Sequence, residues 1–362
     1  MAATKTKVAM LVETSRIEIM EYPIPDIGEN DALIRVERAG LCGTDYKLYT
    51  GTLARDFPII PGHEILGRIE RVGSEMASKE GLAVGDRVVV EATIPCGQCE
   101  FCIEGLYRLC VTGRYYGFTN ASTAPHLWGA FAEVMYVAPG SFISKVSEAV
   151  SPAAAIVAAS CLGNGIRWMR TVGGAEIGKS VVIQGVGAQG LSAVVAAKES
   201  GAHPIIVTGL GADGSRFDLA KELGADVCVN VQEEDAIDAV RRATDGDMAA
   251  TVLDVSGSTE AIALSVMLVR PLGTIVCASS VAGNKPSAIV TNELVRKEVR
   301  FQGVWTHSME STKQAMWLAE TGKYPLEKFI SHEFSLDEAD KAVRAIGREL
   351  SDVDPIKVAI KP

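Results

Sequence analysis

Ten residues constrain this chain more than any others: Val181-Val-Ile-Gln-Gly185-Val-Gly187-Ala188-Gln189-Gly190. An apolar strand runs into G-x-G-x-x-G and then into a helix predicted over about 190–200. The first glycine permits a tight turn and the second lets backbone approach a pyrophosphate. The third lets the helix pack on the strand, whose partner helix N-terminus faces the negative charge. The hexapeptide alone is a common accident. Here it stands among alternating strand and helix signals, with strands predicted at 180–184, 204–208, 227–231, 251–255 and 274–278. Such Val/Ile/Leu runs mark parallel strands buried on both faces, so the stretch implies a doubly wound sheet that binds a dinucleotide.

The acid that reads the ribose in such a fold should close the next strand, about twenty residues on. That strand ends instead in Thr208-Gly209. Asp213 comes four residues later in a glycine-rich loop, followed by Ser215 and Arg216. Either Asp213 reaches the ribose diol or Arg216 pairs with a 2′-phosphate. A blander alternative has Asp213 ending the loop and Arg216 on a helix surface. NAD is slightly favoured over NADP. The cofactor-binding candidates are Gly185, Gly187, Ala188, Gln189, Gly190, Thr208, Gly209, Asp213 and Arg216.

The preceding 150 residues have another character. Short strands at 6–12, 17–22, 31–37, 67–73 and 85–91 are punctuated by Gly and Pro, as in a small barrel. The change falls near Ser151-Pro152, and after about 295 a mixed tail leads to a last strand near 355–360. With 362 residues the chain is long enough for two domains.

Metal-ligating residue types occur in two groups. Cys96-Gly-Gln-Cys99-Glu-Phe-Cys102, followed after seven intervening residues by Cys110, can close a tetrahedral site with no vacancy for substrate. A ferredoxin-type cluster shares this opening, but the fourth spacing, the missing Pro and the single set favour zinc. The second group is dispersed: Cys42 in Gly40-Leu-Cys42-Gly-Thr44-Asp45, His63 in Pro61-Gly62-His63-Glu64, and Cys161 in Ala-Ser-Cys161-Leu-Gly. A catalytic zinc needs three protein ligands and one open position. By themselves a Cys and a His twenty-one residues apart are weak grounds for a metal.

Net charge is −10 and no Lys/Arg run exists, which argues against nucleic acid or anionic membrane as partner. The N-terminus lacks a signal-peptide core, and the small-apolar run at 153–162 is too short to span a bilayer. Eight cysteines without an export signal indicate reduced thiols and a cytoplasmic protein.

Taken in order, these motifs make the chain resemble the zinc-dependent medium-chain alcohol/polyol dehydrogenases over nearly its whole length. The resemblance implies a GroES-like β-barrel catalytic domain (1–155 and 296–362, with a zinc lobe at about 92–115). A Rossmann domain (156–295) is inserted in it. It further implies two Zn2+ per chain: a catalytic ion on Cys42, His63 and Cys161, and a structural one on Cys96, Cys99, Cys102 and Cys110. Thr44 matches the hydroxyl that relays the alcohol proton, and Asp45 the carboxylate that orients His63. Glu64 matches an occasional fourth ligand or electrostatic partner. Lys47 stands where some members carry a proton-passing His, and some relatives use Glu in place of Cys161.

For Thr44 and Asp45 the alternative is capping of a short helix. The implied activity is hydride transfer between a secondary, cyclic or polyol alcohol and NAD(P), in a homodimer or homotetramer joined at the Rossmann sheet edge. Tyr115-Tyr-Gly-Phe118, His126-Leu-Trp128, Leu106 and Trp305 are candidates for the substrate wall. Rival readings are a dinucleotide- and zinc-binding protein without turnover, and a zinc-independent enone or quinone reductase. His126, His203, His307 and His332 are expected in loops or at the surface.

Overall fold

The computed structural model describes residues 4–278 and 285–362. They divide into two compact units, one of 1–159 with 316–362 and one of 160–315. The chain returns to the first unit at 316, not at the expected 296, because one more strand joins the parallel sheet before it leaves.

In chain order the strands are β1 (Lys5–Glu13), β2 (Arg16–Pro23), β3 (Ala32–Leu41), β4 (Glu64–Val72), β5 (Arg87–Val90), β6 (Thr93–Ile94), β7 (Arg114–Tyr115), β8 (Val134–Val137) and β9 (Ile143–Lys145). The second unit holds β10 (Val181–Gln184), β11 (Ile205–Gly209), β12 (Val227–Asn230), β13 (Ala249–Asp254), β14 (Val269–Cys277) and β15 (Arg300–Gly303). The tail adds β16 (Ile330–Ser335) and β17 (Lys357–Lys361).

In the first unit a sheet runs β16-β17-β3-β4-β5-β9, with β8 also on β3. β3 is largely buried, with Leu33, Ile34, Val36 and Ala39 inside and only Arg35 exposed, as suits a strand in the middle of the sheet. Its end matters most, since β17 lays Val358 opposite Leu41 while β4 lays Glu64 opposite Gly40. Three strands therefore converge where β3 passes into the short helix α1 (Gly43–Tyr49).

The second unit is a six-stranded sheet in the order β12-β11-β10-β13-β14-β15, every pairing parallel. Val181, Val182, Ile183, Ile205, Ile206 and Val207 are wholly buried, as strands covered on both faces require. The strand order reverses at β10, and that switch point is where open α/β sheets bind ligands. β15 is the strand of this sheet that the sequence reading missed: Arg300–Gly303 is exposed along its length and Phe301 is its one apolar side chain, so it carries no apolar run. Among the described residues no helix is long and apolar enough to cross a membrane.

Candidate metal centres and dinucleotide site

Cys42 and Asp45 are placed together by the first turn of α1. Cys42 is the N-cap, its Sγ accepting from Thr44 N–H at 3.3 Å, and Asp45 Oδ2 accepts from Cys42 N–H at 2.9 Å. This reciprocal capping box fixes both side chains relative to one backbone turn. The capping role foreseen for Asp45 is real, and its other oxygen is turned to a second use. Asp45 Oδ1 lies 3.2 Å from His63 Nδ1, while His63 Nε2 lies 3.3 Å from Cys42 Sγ.

His63 reaches that position because Gly62 turns the chain at φ +95°; a Cβ there would meet Phe131 Cδ1 at 2.6 Å. The ring is further held by Phe118, with centroids 5.0 Å apart. Burial pulls the imidazole pKa down, but the charges of Asp45 and Cys42 and their hydrogen bonds reverse that and raise it well above its ordinary value. The pair thus stabilises positive charge between them. A tetrahedral zinc with bonds of about 2.3 Å to sulfur and about 2.0 Å to nitrogen puts those atoms about 3.5 Å apart, close to the separation observed. The donor set fits a zinc ion, with Asp45 behind the imidazole.

Around this pair the other candidates of the first unit are arranged unevenly. Thr44 and Lys47 are half-buried on α1, three residues apart and so on one helix face. Glu64 is 8% exposed and pairs with Lys357 at 2.5 Å, a partner the sequence reading did not name.

The four-cysteine lobe is assembled without any disulfide. All four sulfurs lie within 4.8 Å of one another, with Cys96–Cys102 and Cys99–Cys110 both at 3.9 Å. A tetrahedron of zinc–sulfur bonds has edges of about 3.8 Å, so these sulfurs already outline one. A Thr112 hydrogen bond and the backbone N–H groups of Gln98 and Cys99 pull the Cys96 pKa down to about 5, favouring the thiolate that ligates metal.

The aromatic segment foreseen as a substrate wall divides. Tyr116 and Trp128 are core, stacked at 6.2 Å, with Tyr116 Oη within 2.7 Å of Ser141 Oγ. Tyr115 and Phe118 are half-buried, and Phe118 is the one set against His63. Leu106 is half-buried, and Trp305, in the other unit, is 59% exposed.

In the second unit β10 leads through Gly185 (φ +107°) into the helix Ala188–Glu199, of which Gly187 is the N-cap with no side chain to cap it. A Cβ at Gly187 would meet nothing within 4 Å, whereas one at Gly190 would meet Gly185 O at 1.9 Å. Gly187 therefore leaves room above bare helix N–H groups for a phosphate, and Gly190 lets the helix close on the turn. Ala188 and Gln189 form its first turn, and Gln189 Oε1 accepts from Asn164 Nδ2 at 3.2 Å.

At the end of β11, Thr208 is buried and its carbonyl accepts from Gly185 N–H. A Cβ on Gly209 would lie 3.0 Å from Asp213 Oδ2, so this carboxylate stands where a side chain from the strand end would begin. Arg216 does not lie on a helix surface: it is 1% exposed and its Nη1 donates to Asp213 Oδ1 at 2.5 Å. In the helix Gly214–Leu223, Arg216 shares the inward face with Leu219, Ala220 and Leu223 while Gly214 and Ser215 are exposed, which a count of polar residues could not show.

Cys161 is buried in a π-helical stretch, Ala158–Leu162, a wide turn common at functional positions. His307, expected in a loop or at the surface, lies in the loop before the helix Met309–Glu320 and is 9% exposed, with its Nδ1 3.3 Å from Asn164 Oδ1. Neither π-helix nor this Gln189–Asn164–His307 chain has a sequence signature.

Two family models match: the alcohol dehydrogenase GroES-like domain over residues 28–148 and the zinc-binding dehydrogenase over 185–321. The chain is 37% identical to a Mycobacterium tuberculosis protein named "Probable alcohol dehydrogenase adh", over 98% of both chains. It is 30% identical to a sorbitol dehydrogenase of Bombyx mori, over 94% of this chain and 95% of that one. An alcohol dehydrogenase from Thermotoga maritima superposes with a TM-score of 0.90 at 28% identity, covering 99% of this chain and all of that one. The chain belongs to the zinc-type medium-chain dehydrogenase family, as the motifs implied.

Replacing Gly190 by Ala should raise the dissociation constant for the nicotinamide dinucleotide more than about tenfold, because the added methyl must displace the Gly185 turn at the candidate pyrophosphate site. Quenching of nicotinamide fluorescence measures it. Unchanged affinity in a folded variant would contradict the assignment.

Proposed function

We propose that the chain is an NAD(P)-dependent zinc alcohol dehydrogenase acting on CH–OH donors, with a secondary alcohol as substrate. The observation that carries this is the pair Cys42 Sγ and His63 Nε2, 3.3 Å apart with Asp45 behind the ring: two ligands of a site whose remaining positions the lobe's four cysteines cannot fill. Cys161 is proposed as its third ligand on the resemblance of its sequence context. Bound there, zinc supplies a Lewis acid that lowers the pKa of an alcohol oxygen toward neutrality.

The chain's own residues then have separable tasks. Asp45 holds the His63 imidazole in the tautomer that presents Nε2. The Thr44 hydroxyl takes the alcohol proton as it gives up its own, and that proton is proposed to leave along the face of α1 that carries Lys47, toward Lys47 or solvent. Phe118 gives the site an apolar side, which favours a secondary alcohol with an apolar or cyclic substituent over a fully hydroxylated chain. The helix Ala188–Glu199 receives the pyrophosphate. The cofactor performs the redox step, while the protein orients it.

NAD is favoured because Asp213 occupies the space of a strand-end acid, and Arg216, tied to it, is not turned to a 2′-phosphate. The four-cysteine zinc stiffens its lobe, giving two zinc ions per chain. Homodimers or homotetramers would form through β15, the outermost strand of the parallel sheet. Reduced thiols fit a cytoplasmic location.

Two substitutions test this reading. Cys42→Ser should abolish turnover of secondary alcohols and lower zinc from two to one per chain while leaving dinucleotide affinity intact; retained turnover would refute the ligand role. Asp213→Ala should raise the ratio of kcat/KM with NADP to that with NAD about tenfold or more, a shift of about 1.4 kcal/mol. A ratio within about twofold of the parent would overturn the NAD assignment.

A further inference from the structure

One ammonium group joins the two chain segments that carry Cys42 and His63. Lys357 opens β17, the last strand, and its Nζ lies 2.5 Å from Glu64 Oε2 and donates to Leu41 O at 3.2 Å. Leu41 immediately precedes Cys42 and Glu64 immediately follows His63. Register makes this meeting possible: Val358 of β17 pairs with Leu41, and Gly40 pairs with Glu64 across β3 and β4.

The arrangement is a costly one to bury. Lys357 is 2% exposed and Glu64 8%, and lysine is rarely so deep without a partner. Two apolar residues of similar volume would join the strands as well or better, so strand packing does not account for the charges. Room has also been made for the carboxylate. A Cβ on Gly40 would fall 2.2 Å from Glu64 Oε2 and 2.7 Å from Ile156 Cγ2, so only glycine at 40 leaves Glu64 in contact with the ammonium.

Without Lys357, Glu64 would be a buried carboxylate without its ion-pair partner, one residue from His63, and the resemblance makes that position an occasional ligand of the same cation. The ammonium offsets its charge and fixes its direction. The carbonyl contact at Leu41 simultaneously fixes the backbone from which Cys42 projects.

We infer that Lys357 is a positioning residue for the Cys42–His63 metal site: it holds Glu64 out of the ligand set and keeps the segments bearing Cys42 and His63 in register. This rests on the reading of Cys42 and His63 as zinc ligands. Partners that orient ligands from outside the coordination shell commonly change metal affinity or activity about 10–100-fold when removed, and Lys357 is placed in that class.

The test is zinc release from the holoenzyme to a chromophoric chelator, comparing the parent with Lys357→Met and Lys357→Arg. In Lys357→Met the ion that Cys42→Ser abolishes should leave at least about tenfold faster, with the four-cysteine ion released at the parent rate. Lys357→Arg, which keeps the charge and can reach both partners, should restore slow release. In the cobalt-substituted protein the Cys42 thiolate-to-metal absorption band should shift in the Met variant and return in the Arg variant. Parent-like release from folded Lys357→Met, or equal acceleration of both ions, would overturn the role of Lys357 while leaving the metal site standing. If Lys357→Met does not fold, Glu64→Gln/Lys357→Met leaves no buried charge and takes its place; it reads the register role alone, through the lost Leu41 contact, so faster release is still expected and parent-like release would overturn that role. A parent protein in which Cys42→Ser removes no ion would overturn the metal reading and this inference together.

Discussion

Everything at the candidate centre depends on one imidazole held between two anions. His63 turns Nδ1 to Asp45 and Nε2 to Cys42, at 3.2 and 3.3 Å. Both anions belong to the same turn of α1, so their separation is set by a capping box and not by flexible side chains. A site arranged in this way stabilises a cation wherever Nε2 and the thiolate face each other. That preference shows itself as a raised imidazole pKa, and a zinc ion would satisfy it with the same donors. The glycines at 40 and 62 serve that arrangement, one by making room for Glu64 and the other by turning the chain into His63.

The dinucleotide site is built on the opposite principle. There the working groups are backbone N–H donors at the start of the helix Ala188–Glu199, and side chains matter chiefly by their absence. Gly187 is open above and Gly190 is closed against the turn, two different needs met by one residue type. Side chains enter only at the edge of that site, where Asp213 is both restrained and partly neutralised by buried Arg216. A carboxylate so held costs little to keep in one direction.

How much of this was legible in the sequence follows from whether a feature is local. The strands with apolar runs, the four cysteines at 96–110, the glycine loop and the turn bearing Cys42 and Asp45 are specified by neighbours within ten or fifteen residues, and each lies where its pattern implied. Features fixed across the chain were missed. Lys357 meets Glu64 only through the register of three strands, and nothing near Lys357 announces it. Arg216, for which the sequence offers a 2′-phosphate or a helix surface, is instead buried against Asp213, a local pairing whose direction is set only once the loop is folded. The aromatic segment was read as one unit, although turn geometry sends Tyr116 and Trp128 into the core and leaves Phe118 against His63. Edge strand β15 escaped because a strand of exposed residues has no alternation to detect.

The central claim is that Cys42 and His63 share a metal ion distinct from the one in the cysteine lobe. Anomalous scattering from crystals of the zinc-loaded protein, recorded on both sides of the zinc edge, tests it directly. The account predicts two peaks per chain, one amid the sulfurs of Cys96, Cys99, Cys102 and Cys110 and the other within bonding distance of Cys42 Sγ and His63 Nε2. A single peak confined to the lobe, with Cys42 and His63 left in contact with each other, would contradict it.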